Sequence, residues 1–331
     1  MTACGATTFV DPDGYRDAVP GASASLVLTG HGDFKARATW LKLRELHIFR
    51  GCEDVARIAY MSWSPTRSSV SFPIGHGGPL TWSGIDLRCG DIVLHAHGER
   101  SHQRTAGVVK WGLVSLPSNR LANYSKDLAG IEIISPAVGR VLRSSPAAMV
   151  FLLRLHSKAC NLVETRPEIV SYEEAARALE QELVHALVNC LAIDRACLQV
   201  APTPHRADIM VSFEAALSTL GARQPPPSEI SASIGVSERT LRDCCSEFLG
   251  TSPARYIRLR RLNMARAELR RADPAAASVA EIARRYQFSE LGRFAVSYRR
   301  AFGEMPSDTL RRTAITNSPE PVCGAPNLLR P

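Results

Sequence analysis

The sequence predicts a multidomain α+β protein in which a strand-rich N-terminal domain precedes an all-α C-terminal domain. Over about 39–134, short apolar segments alternate with Gly, Pro and Ser, as in successive strands. Over 146–201 the apolar residues recur with helical spacing. Over 205–312 the chain reads as helical throughout and contains an internal repeat. Strands followed by helices, rather than interleaved with them, favour α+β over a parallel sheet.

The strand predictions rest on runs rich in β-branched and aromatic residues, such as ARIAYMSW (56–63), DIVLHAH (91–97) and VVKWGLVS (108–115). Many short strands of this kind predict a sandwich or a barrel. In the helical stretch that follows, SYEEAARALEQELVHALVNCLA (171–192) carries an apolar stripe, and Ser171 with Glu174 forms a predicted capping box. Such a stripe is typical of a core-facing helix, with a dimer interface as the alternative.

Composition indicates a folded cytoplasmic protein. Hydrophobic residues make up 45% of the 331 positions and charged residues 22%. The longest apolar run, 147–153, is too short to span a membrane. The opening MTACGATTFVDPDGY lacks the features of a secretory signal, and the nine cysteines include no CxxC pair. We therefore expect reduced thiols, no membrane partner and a cytoplasmic location.

Basic charge is concentrated in the last third of the chain. Residues 205–312 hold 18 Arg, no Lys and 12 Asp or Glu, a net of +6, whereas the whole chain has a net of +8. This excess indicates a polyanionic partner, and guanidinium groups bind phosphates and guanine edges in a bidentate manner. A GC-rich genome that favours Arg codons is the alternative explanation.

The internal repeat has the shape of two helix-turn-helix units. EISASIGVSERTLRDCCSEFLGTSP (229–253) and EIARRYQFSELGRFAVSYRRAFGEMP (281–306) share the order short helix, turn, longer helix and glycine. In the first copy, Gly235 stands where the chain reverses and Ser237 precedes the longer helix as an N-cap. The second helix of such a unit is the one that enters the major groove of DNA.

A long helix joins the two units. PARYIRLRRLNMARAELRR (253–271) is bounded by Ser252–Pro253 and by Asp273–Pro274, and at ~1.5 Å per residue it is roughly 28 Å long. Successive major grooves on one side of B-DNA lie about 34 Å apart. A rigid helix of this length can therefore hold two recognition helices in consecutive turns of a duplex.

These motifs resemble the AraC/XylS family of bacterial transcriptional regulators. The resemblance is carried by the two units, by LGTSPARYIRLRRLNMARAELR between them and by FGEMPS after the second, and it covers about 205–312. It implies an effector-responsive regulator that is no enzyme, binds double-stranded DNA and RNA polymerase, and forms a homodimer. It also implies a cupin-like β-barrel with flanking helices for the N-terminal domain, used for sensing a small-molecule effector or for dimerisation. No cofactor or metal is expected.

We therefore expect a sensing and dimerisation domain at 1–200 and a DNA-binding domain at 205–312. The latter comprises helix-turn-helix units at about 228–249 and 278–302 around the 253–271 helix, and 313–331 is expected to be a disordered tail. Predicted base-reading residues are Arg239, Arg242, Asp243, Gly292, Arg293, Ala295 and Val296. Predicted phosphate-contacting or positioning residues are Ser237, Thr240, Ser246, Ser289, Arg299 and Arg300.

The second turn departs from the family pattern, which has Gly-Phe where this chain has Gln287–Phe288. A non-glycine residue in left-handed geometry costs roughly 1 kcal/mol, so we expect the turn to be kept under strain.

Three alternatives compete with specific DNA binding. LHAHGERSH contains His95, His97, Glu99 and His102, which could form the metal site of a cupin-type enzyme, although the spacing of Glu99 from His97 is short and the pattern also fits a polar pocket. The adjacent Cys244–Cys245 could act as a redox sensor, but adjacent helical residues diverge by about 100° and core packing is favoured. The third alternative is a non-specific DNA-binding protein.

Overall fold

The computed structural model describes residues 3–75, 77–192, 199–200, 203–221 and 225–311. The predicted tail, 313–331, lies outside these residues. Among the described helices, none combines the length and apolar character needed to cross a bilayer.

The described strands form two antiparallel sheets. The larger has the order β1-β3-β4-β11-β6-β9-β12-β13 and the smaller the order β2-β5-β10-β7-β8. The strands are β1 (Ala3–Phe9), β2 (Ala22–Leu28), β3 (Ala36–Lys42), β4 (His47–Glu53), β5 (Arg57–Trp63), β6 (Arg67–Pro73), β7 (Leu80–Trp82), β8 (Ile85–Leu87), β9 (Asp91–Leu94), β10 (Arg100–Thr105), β11 (Val109–Pro117), β12 (Arg140–Arg143) and β13 (Gln199–Val200).

The helices divide between the two parts of the chain. Those of the first part are α1 (Pro12–Arg16), α2 (Ser118–Ala129), α3 (Pro146–Thr165) and α4 (Glu173–Leu191). Those of the last third are α5 (Pro204–Leu220), α6 (Pro227–Ser233), α7 (Glu238–Leu249), α8 (Pro253–Arg271), α9 (Val279–Arg285), α10 (Leu291–Phe302) and α11 (Pro306–Arg311). A sheet-rich N-terminal domain and a helical C-terminal domain are therefore present, as the sequence predicts.

The predicted barrel is not what the described strands form. They remain two separate sheets whose facing sides share one core that includes Phe49, Trp111 and Met61. Two strands before residue 39, and the start of β3, were not predicted from the sequence. The first two, β1 and β2, read ACGATTF and ASASLVL, so their small residues give a weak strand signal, and each lies at the edge of a sheet.

Helices cover both outer faces of the sheet pair. The outer face of the larger sheet packs on α2, α3 and α4. The outer face of the smaller sheet packs on α5, α7 and α8 through Val27 and Ile58. Because side chains alternate along a strand, β5 sends Ile58 to these helices and Ala59 and Met61 to the core between the sheets. The two domains therefore share buried contacts along the outer face of β2, β5 and β10.

A buried ion pair crosses the core between the sheets. Arg57 on β5 donates to both carboxylate oxygens of Glu53 on β4, at 2.7 and 3.0 Å. Tyr15 and Trp111 also donate to Glu53, each at 2.8 Å. Burial alone raises the pKa of Glu53, but the Arg57 charge and these donors outweigh it and the net pKa is lowered. These four polar side chains are therefore engaged with one another inside the sandwich.

The capping box predicted at Ser171 is wrong. Ser171 ends a short 3-10 helix, and α4 begins at Glu173 after Tyr172, whose side chain makes no capping bond. The apolar stripe of α4 is buried in the chain's own core, with Leu183 and Leu187 fully enclosed beside α3. Core packing therefore accounts for the stripe, and it is not available as a dimer interface.

We predict that His156 on α3 makes the fold sensitive to acid. Its Nε2 donates to the Phe49 carbonyl at 3.0 Å, and burial lowers its pKa from 6.5 to about 4. Between these two values the unfolded chain binds the extra proton, so stability falls as the pH drops. His156→Gln should reduce the loss of unfolding free energy between pH 7.5 and pH 5 by about 2 kcal/mol, measured by urea denaturation.

The matched control is His185→Gln, an exposed histidine on α4. It should lose as much stability as the wild type on acidification. Burial also lowers the pKa of His47 to about 4, so the comparison between the two variants, rather than the wild-type slope, isolates His156. Equal acid sensitivity of all three proteins would contradict the assignment.

Candidate nucleic-acid interface

The two repeat copies fold into matching helix-turn-helix units. The short helices α6 and α9 have seven residues each, and the longer helices α7 and α10 have twelve. The turns carry equivalent backbone bonds. Gly235 donates to Ala232 at 3.1 Å, and Gln287, 52 residues further on, donates to Arg284 at 2.8 Å. The internal repeat in the sequence is therefore a repeat in structure.

The strained turn predicted at Gln287 is present. Gln287 has a φ of 58°, and Gly235 in the first unit has a φ of 73°. The sequence analysis did not identify Arg261 of α8, whose guanidinium donates to the carbonyls of Tyr286 and Gln287 at 3.2 and 3.1 Å. The same guanidinium lies 4.3 Å from the centre of the Phe288 ring. Arg261 thereby stabilises the turn, which the positive φ of Gln287 alone would disfavour.

The longer helix of the first unit presents a polar face to solvent. Ser237 accepts from the Thr240 backbone at 3.0 Å and starts α7, which Gly250 ends in left-handed geometry. The inward face of α7 is fully buried and consists of Leu241, Cys244, Cys245, Phe248 and Leu249. The outward face is exposed and includes Arg239, Arg242, Asp243 and Ser246.

The longer helix of the second unit has an aromatic inner face. Phe294, Tyr298 and Phe302 are buried and their rings contact in sequence, at centroid distances of 5.6 and 4.8 Å. On the outer face Val296 is 70% exposed, and Gly292 has open space where a side chain would begin. Ala295 is half-buried. The remaining predicted residues of this unit are exposed: Ser289, Arg293, Arg299 and Arg300.

One charge pair on the second unit was not anticipated. Arg293 donates to Glu290, the residue that precedes α10, at 2.9 Å, and both side chains are exposed. In the first unit, Arg239 and Arg242 make no ion pair with any described residue. The guanidinium of Arg293 must therefore leave or share Glu290 in order to reach a base, which the first unit's arginines need not do.

Helix α8 packs into both units. Its first half contributes Tyr256 and Ile257 to the core of the first unit, and its second half contributes Leu262 and Leu269 to that of the second. At its midpoint, Asn263 accepts from the Leu28 backbone at 2.9 Å and donates to the Leu28 carbonyl at 3.1 Å. Since β2 is an edge strand, this side chain takes the place of a neighbouring strand.

A buried carboxylate joins the first unit to the smaller sheet. Glu214 of α5 accepts from His102 of β10 at 3.0 Å, from Tyr256 at 2.5 Å and from Arg260 at 2.9 Å. Burial alone raises the pKa of Glu214, but hydrogen bonding and charge from His102, followed by Arg260, lower it overall. Nothing in the sequence pairs residues 102 and 214, so only the fold reveals this contact.

The histidines considered for a metal site lie in different environments. His95 is buried, contacts Ser71 at 2.8 Å and stacks on a tryptophan. His97 follows the end of β9 and contacts Ser118 at 2.6 Å, while His102 contacts Glu214. Within the described ranges, no three His, Cys, Asp or Glu side chains are grouped as metal ligands would be.

The adjacent cysteines are packing residues of the first unit. Cys244 and Cys245 are both fully buried, and burial raises the pKa of each thiol. Since the thiolate is the reactive form, this environment suppresses their reactivity. The two units, with an exposed outer face on each longer helix and a shared rigid helix between them, define a double helix-turn-helix architecture.

Sequence comparisons agree with this class. A family model described as a helix-turn-helix domain matches residues 230–312. The probable thc operon regulatory protein of Rhodococcus erythropolis is 43% identical over 91 residues, which are 27% of this chain and 27% of that protein. The XylDLEGF operon transcriptional activator of Pseudomonas putida is 51% identical over 79 residues, 23% of this chain and 24% of that protein.

The chain spans about a quarter of the length of these curated relatives. Among solved structures, the AraC-like transcriptional activator CuxR is 18% identical and covers 80% of this chain and 96% of its own, with a TM-score of 0.42. The sequence matches show that residues 230–312 form a helix-turn-helix domain similar to that of operon regulatory proteins, which agrees with the predicted resemblance to the AraC/XylS family.

We predict opposite effects of exchanging the residues at the two turns. Gln287→Gly should stabilise the protein by about 1 kcal/mol, because glycine adopts a positive φ without strain. Gly235→Gln should destabilise it by about 1 kcal/mol for the same reason. A Cβ at Gly235 would meet no atom within 4 Å, so the cost there is one of backbone geometry alone. Urea denaturation measures both, and a destabilising Gln287→Gly would contradict the strain.

Proposed function

We propose that this protein is a sequence-specific regulator of transcription that binds double-stranded DNA through two adjacent major-groove segments. The observation that carries the proposal is the placement of two exposed recognition helices, α7 and α10, on cores that share α8. We call α7 the first reader and α10 the second reader. Since α8 has 19 residues and is held at both ends and at its centre, the two readers are fixed relative to each other. Tandem attachment multiplies the affinities of two weak readers.

In this proposal the first unit supplies direct readout of bases. Arg239 and Arg242 lie three residues apart on the exposed face of α7, so each can span O6 and N7 of a guanine. Asp243 lies beside them and can accept from a cytosine amino group. Ser237, Thr240 and Ser246 flank this face and are assigned to phosphates or to positioning.

The second unit reads DNA by closer approach. Gly292 lets the backbone come near the groove, and Ala295 with Val296 can contact thymine methyl groups. Arg299 and Arg300 of the last turn, with Ser289 near the start, are assigned to phosphates. Arg293 is the residue of this unit able to reach a base once it leaves Glu290. The DNA site bound by the two units therefore has an A/T-preferring segment beside a G-containing segment.

The N-terminal domain is assigned the regulatory part. Its smaller sheet packs directly on α5, α7 and α8. A conformational change in that sheet would therefore alter the position of the first reader, α7. A role of this domain in sensing a small-molecule effector, homodimer formation, contact with RNA polymerase and a cytoplasmic location complete the proposal. Sedimentation of the full chain tests the dimer, and a strict monomer at high micromolar concentration would remove that part.

We predict that base readout and phosphate contact separate by mutation. In a binding-site selection, Arg239→Ala or Arg242→Ala should relax the preference for guanine in one half of the site, each losing about 1–3 kcal/mol of discrimination. Arg299→Ala should weaken all sequences about equally. Arg239→Lys keeps the charge and loses the bidentate fork, so it should behave like Arg239→Ala in specificity.

The selected site should place the guanine-containing half about ten base pairs from the A/T-preferring half. Guanines under the second half, or an Arg239→Ala protein with an unchanged motif, would show that the readers are assigned wrongly. Equal affinity for every duplex would instead support non-specific binding.

We also predict a steep dependence on salt. Some 6 to 8 phosphate contacts should give a slope of about −5 to −7 in a plot of log affinity against log salt. Arg299→Ala should reduce the slope by about one, whereas a charge-neutral change such as Val296→Ala should leave it unchanged. A slope near zero for the wild type would remove the DNA-binding proposal.

A further inference from the structure

A cavity of about 400 Å³ lies between the smaller sheet and the junction of α7 and α8. Its sheet side includes Thr81 and Arg104, and its helix side includes Gly250, Thr251 and Arg255. This volume falls in the range typical of small-molecule sites. The cavity is separate from the core between the two sheets, which the Glu53–Arg57 pair and apolar side chains fill.

Arg104 of β10 brings a cation into this cavity, and no carboxylate of the described residues forms an ion pair with it. Its Nη2 donates to the Thr81 hydroxyl at 3.2 Å, whereas its buried Nε has no hydrogen-bond partner. Its Nη1 lies so close to Gly250 that a Cβ there would collide with it. Because the guanidinium lines the cavity and its Nη2 is bonded to a neutral hydroxyl, its charge remains available to an anionic ligand.

A second cation enters from the helix side. Arg255 lies in the first turn of α8 with an exposed side chain, and it makes no ion pair with any described residue. A single carboxylate, Asp86, lines the same cavity and accepts from Thr81 at 2.6 Å. Two guanidinium groups against one carboxylate leave a net charge of +1, which favours an anionic ligand.

The rest of the wall is largely apolar. Ile58 and Pro79 lie on the sheet side, and Leu249 and Leu259 lie on the helix side. Ile58 and Leu249 are already buried, whereas Pro79 is exposed and Leu259 is half-buried. A bare inorganic ion would leave the apolar surface of Pro79 and Leu259 facing water. An organic body attached to the anion would cover that surface and gain the free energy of apolar burial.

We propose that this cavity binds a small organic oxyanion, a carboxylate or a phosphate ester, through Arg104 and Arg255. The apolar body of the ligand lies against Pro79 and Leu259. Because Arg104 belongs to the sheet and Arg255 to α8, the ligand ties the N-terminal domain to the first helix-turn-helix unit beside the end of α7. The consequence for DNA binding rests on the proposed function, whereas binding of the ligand itself does not.

The test uses four probes with the full chain in titration calorimetry: hexanoate, hexyl phosphate, hexan-1-ol and inorganic phosphate. Hexanoate or hexyl phosphate should bind, and Arg255→Gln should weaken that binding at least about tenfold, as should Arg104→Gln. Arg258→Gln is the matched control, because Arg258 is exposed on the same helix and donates to Ser297 instead. It should bind as the wild type does.

Hexan-1-ol that binds as tightly as the two oxyanions would overturn the role of the arginines. Inorganic phosphate that binds as tightly as hexyl phosphate would overturn the role of the apolar wall. The absence of binding by both organic oxyanions would overturn the site. Ala106→Phe, which fills the cavity from an exposed turn and changes no charge, should abolish binding in a folded protein, and unchanged binding would place the ligand elsewhere.

Operator binding, measured with and without the oxyanion, separates this site from the proposed function. The bound oxyanion should change the operator affinity of the wild type at least about threefold and leave that of Ala106→Phe unchanged. Binding of the oxyanion without binding of DNA would support the proposed site and contradict the proposed function. Binding of DNA without binding of the oxyanion would support the proposed function and contradict the proposed site.

Discussion

The carboxylate of Glu214 is the contact on which the arrangement of the two domains depends. It is buried, and it accepts from β10 of the smaller sheet and from Tyr256 and Arg260 of α8. A buried carboxylate that lost one of these partners would cost several kcal/mol, because little solvent is present to replace it. The same residue therefore holds α5 and the first half of α8 against the smaller sheet.

Helix α8 connects the Glu214 contact to the second reader. Asn263 fixes the middle of the helix to the edge of β2, and Arg261 holds the strained turn at Gln287. The second unit also touches the N-terminal domain directly, since Gly32 donates to the carbonyl of Phe302 at 3.4 Å. The N-terminal domain thus contacts both readers, and the cavity beside Arg104 lies at the contact with the first.

Much of the C-terminal domain could be predicted because its signals are local. The caps at Ser237 and Ser252, the glycines after α7 and α10 and the aromatic spacing of α10 act over one or two helical turns. The N-terminal domain was less predictable. Its first strands are rich in small residues, and whether strands close into a barrel or form two sheets depends on pairings between distant segments.

The sequence by itself determined the two helix-turn-helix units, the helix that joins them and the chemical character of each recognition face, because helical periodicity and capping are written in neighbouring residues. Tertiary structure alone decided which arginines are free for a ligand or for DNA. Arg239, Arg255, Arg261 and Arg293 are alike in sequence, yet one holds a backbone turn and one is paired with Glu290. The environment of a charged side chain is set by residues distant in the chain, and only folding brings them together.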